Sequence, residues 1–116
     1  NCGNGGVLIL MSSIAGEGNF GQTNYAATKA GVRAMTVTWA RELSRYGIRA
    51  MSVAPGFIGT PMVKRDMKQD ALEMLLKRVP AGRLGEPEEV ALMCQYIVDN
   101  DFATGDCWTI HGGMRL

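Results

Sequence analysis

No uninterrupted apolar run in this sequence exceeds five residues, Val7–Met11 being one, against the roughly twenty that a membrane-crossing helix needs. Charge of one sign is scarce as well. Twelve Lys and Arg against eleven Asp and Glu leave a formal net charge of +1, too little to steer a polyanion or to hold an anionic lipid surface. The basic residues are scattered and do not interleave with aromatics, which speaks against a nucleic-acid partner. The three cysteines, Cys2, Cys94 and Cys107, show no C-x-x-C spacing and no grouping with the single histidine, His111. Neither a zinc site nor a disulfide framework is expected from that pattern. The reading is of buried or free thiols in a reducing, cytoplasmic compartment. Internal repeats and low-complexity segments are missing too.

What is present is an alternation of short strands and helices. Gly5-Gly6 lead into Val7–Met11, five apolar residues without polar alternation, which suits a strand buried on both faces. Ile14–Gln22 is glycine-rich and reads as a loop. A helical pattern follows from about Thr23 to Tyr46, with Ala26, Ala30, Val37, Ala40 and Leu43 as its inward stripe and Gly47 just past its end. Small residues crowd its first half and would let another element come close. Ile48–Ala54 is a second strand, stopped by Pro55-Gly56. Gly59 and Pro61 are expected to break any early helix in the next stretch. Gln69–Val79 is a short amphipathic helix. Pro87 and Glu88-Glu89 open another, running to about Val98 with Val90, Ala91, Cys94 and Ile97 inward. Cys107–Ile110 is the last strand. Alternation of this kind predicts an α/β fold on a parallel sheet.

The residues able to do chemistry gather at the predicted strand ends, where ligands bind in such sheets. Tyr25-x-x-x-Lys29 places a phenol and an ammonium one turn apart on one helix face. A nearby ammonium favours the phenolate form, which makes a tyrosine a usable general acid/base. Spacing alone is weak evidence, since an exposed pair on a helix has the same pattern. Ser12-Ser13 ends the first strand a dozen residues earlier, and a hydroxyl there can donate to a carbonyl oxygen. Pro55–Thr60 forms a second strand-end loop able to approach a flat ring.

These residues carry a resemblance. The stretch from Ser12 through Gly16, Gly21-Gln22-Thr23-Asn24-Tyr25 and Lys29 to Gly31 strongly resembles the active-site segment of short-chain dehydrogenase/reductases. Val53–Thr60, Gly82–Ala91 and His111–Met114 are similar to further motifs of that family, in the same order. The resemblance implies a doubly wound, Rossmann-type parallel sheet, with Tyr25 as catalytic acid/base and Lys29 binding the nicotinamide ribose and activating Tyr25. It also implies a serine that steadies the reacting oxygen. Ser13-x-x-Gly16 fits the family pattern, whereas counting back from Tyr25 at the usual spacing selects Ser12, because the loop is one residue shorter here. Pro55, Gly56, Ile58 and Thr60 are implied to meet the nicotinamide end, and residues 61–80 to cover the substrate. Trp39 and Trp108 are read as packing residues, and His111 as a non-catalytic position.

The resemblance further implies the cofactor NADP or NAD, with NADP favoured, and a carbonyl or alcohol substrate. Appearance is closest to beta-ketoacyl-carrier-protein and acetoacetyl-CoA reductases, so a 3-oxoacyl thioester on carrier protein or CoA is the expected substrate. An alcohol or sugar dehydrogenase of the same family is the alternative. A dimer or tetramer of identical chains is expected. No glycine-rich turn follows a first strand as dinucleotide binding requires, and the sequence opens at Asn1 a few residues before a strand. Residues 1–116 are therefore expected to be the C-terminal half of one Rossmann-type domain, unable to bind the cofactor firmly alone. A catalytically silent half serving as an assembly partner is a third reading.

Overall fold

The computed structural model describes residues 5–116, so Cys2 lies outside them. Its frame is a parallel sheet of β1 (Gly6–Met11), β2 (Ile48–Pro55) and β3 (Cys107–Ile110), in the spatial order β1-β2-β3. Parallel neighbours need long crossovers. The first is α1 (Thr23–Glu42), and the second contains α2 (Pro61–Asp66), α3 (Gln69–Arg78) and α4 (Pro87–Asp99). The α/β architecture expected from the alternation is the one observed.

β2 is the buried middle of the sheet. Ala50 to Ala54 are all covered, and alternation divides their side chains between two faces. Met51 and Val53 pack with Ile97 of α4 and Ala103, flanked by Val90, Met93, Cys94 and Trp108. Ala50, Ser52 and Ala54 face the other way, toward α1, and their small side chains let that helix sit close. Arg49 fastens α4 from below. Its guanidinium donates to the carbonyls of Ile97 (2.8 Å), Val98 (3.0 Å) and Ala103 (2.9 Å). The first two belong to the last turn of α4, whose carbonyls lack helical partners.

A second core of Ile14, Leu75, Val79 and Met114, with Met67 and Leu84 against it, ties α3 and the C-terminal segment to the turn after β1. This core fixes the loops at the C-terminal ends of the strands. There the site is built.

Several local expectations change. β1 is not covered on both faces: Leu8 and Met11 are about two-fifths exposed, and no described strand pairs with its outer edge. Ser13 nucleates a 3-10 turn over Ile14–Glu17 inside the expected loop. The long helix stops at Glu42, and Ser44–Tyr46 tighten into a 3-10 turn ended by Gly47 at φ 70°. Pro61 starts a helix where a break was expected. Its missing N–H costs nothing in a first turn, and the Thr60 hydroxyl caps that turn by accepting from Val63 N at 3.2 Å. In α4, Ala91 points outward and Met93 takes the inward place expected of it.

The inward stripe of α1 is the most informative correction. Ala30 and Val37 are exposed, whereas Thr36 is fully buried and Lys29, Val32 and Arg33 are partly so. The face turned to the protein is polar at its N-terminal end. An apolar periodicity could not reveal it.

Candidate active site

β1 delivers two serines to its C-terminal end, and the structure gives them different surroundings. Ser12 is 5% exposed, and its hydroxyl donates to the main-chain carbonyl of Lys29 at 2.9 Å. Ser13 is extended (φ −160°, ψ 155°) and caps the following 3-10 turn, its Oγ accepting from Ala15 N at 3.1 Å. Because that bond uses an Oγ lone pair, the Ser13 O–H stays available as a donor.

The loop after the turn leads to α1, and Tyr25 projects from its first turn, 46% exposed. Ser13 and Tyr25 line one cleft of about 240 Å³, together with Asn19, Gln22, Gly56 and Phe57. The Asn19 side-chain amide donates to the Gln22 side-chain oxygen and holds the loop folded before the helix. Lys29 stands one turn behind Tyr25, its Nζ 5.6 Å from the Tyr25 ring centroid and donating to Met11 O at 3.1 Å. The structure thus brings together Ser13, Tyr25, Lys29 and Gly56.

The other expected positions divide. Pro55 closes β2, and Gly56 N donates to Ile110 O at 2.9 Å. A side chain at residue 56 would meet the His111 Cβ at 2.7 Å, so glycine is required there to let the β2 and β3 ends touch. Ile58 pairs with Gly85 in a parallel bridge whose bonds run from Gly59 N to Gly85 O and from Gly85 N to Phe57 O. The flanking residues make the bridge, so the amide of Ile58 points away from Gly85. The Ile58 side chain lines a separate cavity of about 60 Å³ with Arg83 and His111. Neither Pro55, Ile58 nor Thr60 lines the Ser13–Tyr25 cleft.

Charges near the site are organised. Arg83 grips Glu89 in a fork (2.6 and 2.9 Å), and Glu89 also accepts from Glu86 N. The hydrogen bond from Arg83, then that from Glu86 N, holds the Glu89 carboxyl down at about 2. The same hydrogen bond raises Arg83 above its usual value. His111 Nδ1 accepts from Gly113 N at 3.0 Å, and its Nε2 is covered without a partner. Trp108 packs in the core and against Tyr96, with ring centroids 5.8 Å apart. Cys94 and Cys107 are free thiols. Among the described residues no three His, Cys, Asp or Glu side chains gather as a metal site, and no helix is long and apolar enough to cross a membrane.

Two hydroxyls and the bare backbone of Gly56 line one cleft, a setting that suits a carbonyl oxygen held beside a flat ring. The donor set fits the reactive end of a nicotinamide cofactor. For the pyrophosphate end the described residues offer nothing comparable. The glycine-rich stretch after β1 is taken up by the 3-10 turn and the Asn19–Gln22 loop.

Sequence reasoning did not single out several residues here. Asn19, Gln22 and Leu116 line the cleft beside Phe57 of the expected loop. Glu17 and Arg33 pair behind it, at 3.5 Å. The eight-residue step from Tyr25 to Arg33 was the available signal for the last.

Residues 2–115 match the family model described as enoyl-(acyl carrier protein) reductase. The chain is 46% identical over 114 residues to the 3-oxoacyl-[acyl-carrier-protein] reductase of Thermotoga maritima, covering 96% of this chain and 46% of that protein. Among solved structures, a 3-hydroxyacyl-CoA dehydrogenase type-2 from Mycobacterium avium superposes with a TM-score of 0.91 at 40% identity, over 96% of this chain and 43% of the other. A 7 alpha-hydroxysteroid dehydrogenase complexed with NADH and 7-oxo glycochenodeoxycholic acid does so with a TM-score of 0.87 at 29% identity, over 96% and 45%. The chain spans about half the length of the curated relatives it matches.

Proposed function

We propose that this chain, which belongs to the short-chain dehydrogenase/reductase family, supplies the catalytic part of an NAD(P)-dependent enzyme that interconverts a 3-oxoacyl thioester and its 3-hydroxy form. The observation that carries this reading is the shared cleft of Ser13 and Tyr25, with Gly56 on its wall and Lys29 one turn behind.

The Ser13 hydroxyl, whose oxygen is tethered by Ala15 N, donates to the substrate carbonyl and holds it beside Tyr25. Tyr25 gives its phenolic proton to the oxygen as the carbonyl carbon gains a hydride, so the C=O double bond becomes a CH–OH group. In the reverse direction Tyr25 takes that proton back. Lys29 sets its ammonium 5.6 Å from the Tyr25 ring centroid, where it would meet a ribose hydroxyl of the bound cofactor. Ser12 serves structure, because its proton is committed to Lys29 O. Gly56 and Phe57 would wall the ring of the bound cofactor, and the Ile58 amide, turned away from Gly85, would meet its carboxamide. Pro55 and Thr60 shape that loop, Thr60 by capping α2. The bound cofactor supplies the hydride, and the protein supplies orientation and charge stabilisation.

Residues 61–80 form the cover over the substrate, and residues 1–116 the C-terminal half of a Rossmann-type domain. A carrier-protein or CoA thioester is the favoured substrate class, since two of the three relatives named above are, by name, a 3-oxoacyl-[acyl-carrier-protein] reductase and a 3-hydroxyacyl-CoA dehydrogenase. NADP is favoured as cofactor. The exposed apolar residues of α4, Leu92 and Tyr96, suit contact with a second copy in a dimer or tetramer. The free Cys94 and Cys107 thiols suit a reducing, cytoplasmic setting.

The test is steady-state kinetics of the full-length protein with NADPH and acetoacetyl-CoA. Turnover is expected, and Ser13→Ala or Lys29→Ala should each lower kcat by about 10²-fold or more. Full activity in both variants would overturn the assignment.

A further inference from the structure

The helix face that carries Tyr25 and Lys29 continues, at the same four-residue step, to Arg33. Its guanidinium reaches back to the end of β1. Nη2 donates to Ser13 O at 3.3 Å, and Nη1 lies 3.5 Å from Glu17 Oε1. The Arg33 side chain is only 24% exposed, unusual cover for a residue type that normally stays in water. Gly16 makes the approach possible. A Cβ there would stand 3.2 Å from Arg33 Nε and 3.2 Å from the Lys29 carbonyl carbon. The other carboxylate oxygen of Glu17 meets Arg115 Nη1 at 3.4 Å.

Three consecutive residues of the strand end are therefore each fastened to one face of α1. Met11 O accepts from Lys29 Nζ at 3.1 Å, the Ser12 hydroxyl donates to Lys29 O at 2.9 Å, and Ser13 O accepts from Arg33. The first two fasteners use residues of the site itself. Arg33 lines no part of the cleft, so it reaches the chemistry only through Ser13.

We propose that Arg33, held by Glu17, is a positioning residue that fixes the Ser13 peptide and thereby aims the Ser13 hydroxyl at the substrate oxygen. The proposal rests on the reading of Ser13 given above. Ser13 O also accepts from Gly16 N at 2.9 Å, a bond made within the turn itself. The guanidinium adds a second anchor on α1, the element that carries Tyr25. It couples the two hydroxyls to one rigid support, as a site needing sub-ångström alignment requires.

The experiment is a double-mutant cycle in the full-length protein, assayed with NADPH and acetoacetyl-CoA. Arg33→Met should lower kcat by about 10-fold to 10²-fold, with KM within about threefold, and Arg33→Lys should restore part of the loss. In a Ser13→Ala background the same Arg33→Met change should cost less than about twofold, because nothing remains to aim. Glu17→Gln, a milder change that keeps the guanidinium, should lower kcat several-fold and serves if Arg33→Met does not fold. An equal factor in both backgrounds, or unchanged kcat in folded Arg33→Met and Glu17→Gln proteins, would overturn the proposal. Tyr25→Phe run alongside separates the two readings. If it is inactive while Arg33→Met is normal, only the positioning role fails; if it turns over normally, the reading of the site fails.

Discussion

The Ser12 hydroxyl donates to the main-chain carbonyl of Lys29 at 2.9 Å, so the strand that presents one hydroxyl to the cleft is tied by the neighbouring hydroxyl to the helix that presents the other. Adjacent serines have separate work. Ser12 binds the scaffold together, and Ser13 faces the cleft.

Replacing each serine by alanine should therefore separate the two by their effect on catalysis. Ser12→Ala removes a buried hydrogen bond worth about 1 kcal/mol and should lower Tm by a few degrees with kcat reduced less than about tenfold. Ser13→Ala loses the cap bond to Ala15 N, a Tm cost comparable to that of Ser12→Ala, and should lower kcat by about 10²-fold. Thermal denaturation and steady-state kinetics on the same preparations check both, and an exchange of the two kcat effects would reverse the assignment.

Gly56→Ala tests the contact between the β2 and β3 ends. The added methyl would meet the Cβ and Cα of His111 at 2.7 and 2.9 Å, and neither atom can swing aside. A loss of about 1–3 kcal/mol is expected in denaturant titration, with weakened cofactor binding, because the same backbone walls the cleft. Wild-type stability would show that the two strand ends are looser than described.

Much of this was legible from residue order alone, and what was not has identifiable causes. Strand and helix alternation, the last strand and the Tyr25–Lys29 pair follow from local pattern. The buried stripe of α1 escaped because Lys29, Arg33 and Thr36 are polar, and their partners Met11 O and Ser13 O are main-chain atoms of a distant segment. Pro61 reads as a breaker in the sequence because its effect depends on whether it falls inside a helix or, as here, at its first position. Ser12 and Ser13 could not be separated by spacing, since the loop is one residue short and only the fold shows which hydroxyl is spent.

The Arg83–Glu89 fork predicts an acid-side stability signature. Glu89 sits at about 2 in the folded protein against an ordinary 4.5. A carboxyl lowered on folding contributes stability above its unfolded value and loses it as the pH falls through the folded one. The Tm difference between wild type and Glu89→Gln should therefore be complete above pH 4.5 and shrink toward pH 2. Because the pair is exposed, 1 M salt should narrow it at every pH. A difference independent of pH would refute the assignment.

Residues 1–116 on their own should bind NADPH weakly or not at all, because the cleft fits the reactive end and the described residues offer no cradle for the pyrophosphate. Isothermal titration calorimetry on that segment checks this. Nanomolar to low-micromolar binding would contradict it.

The most direct test of the central claim, that Tyr25 delivers the proton in the Ser13 cleft, is the single-turnover rate of NADPH oxidation by the full-length protein with acetoacetyl-CoA, wild type against Tyr25→Phe. The account predicts a loss of about 10²-fold to 10⁴-fold, with cofactor affinity within a few-fold of wild type. A Tyr25→Phe rate within threefold of wild type would contradict it.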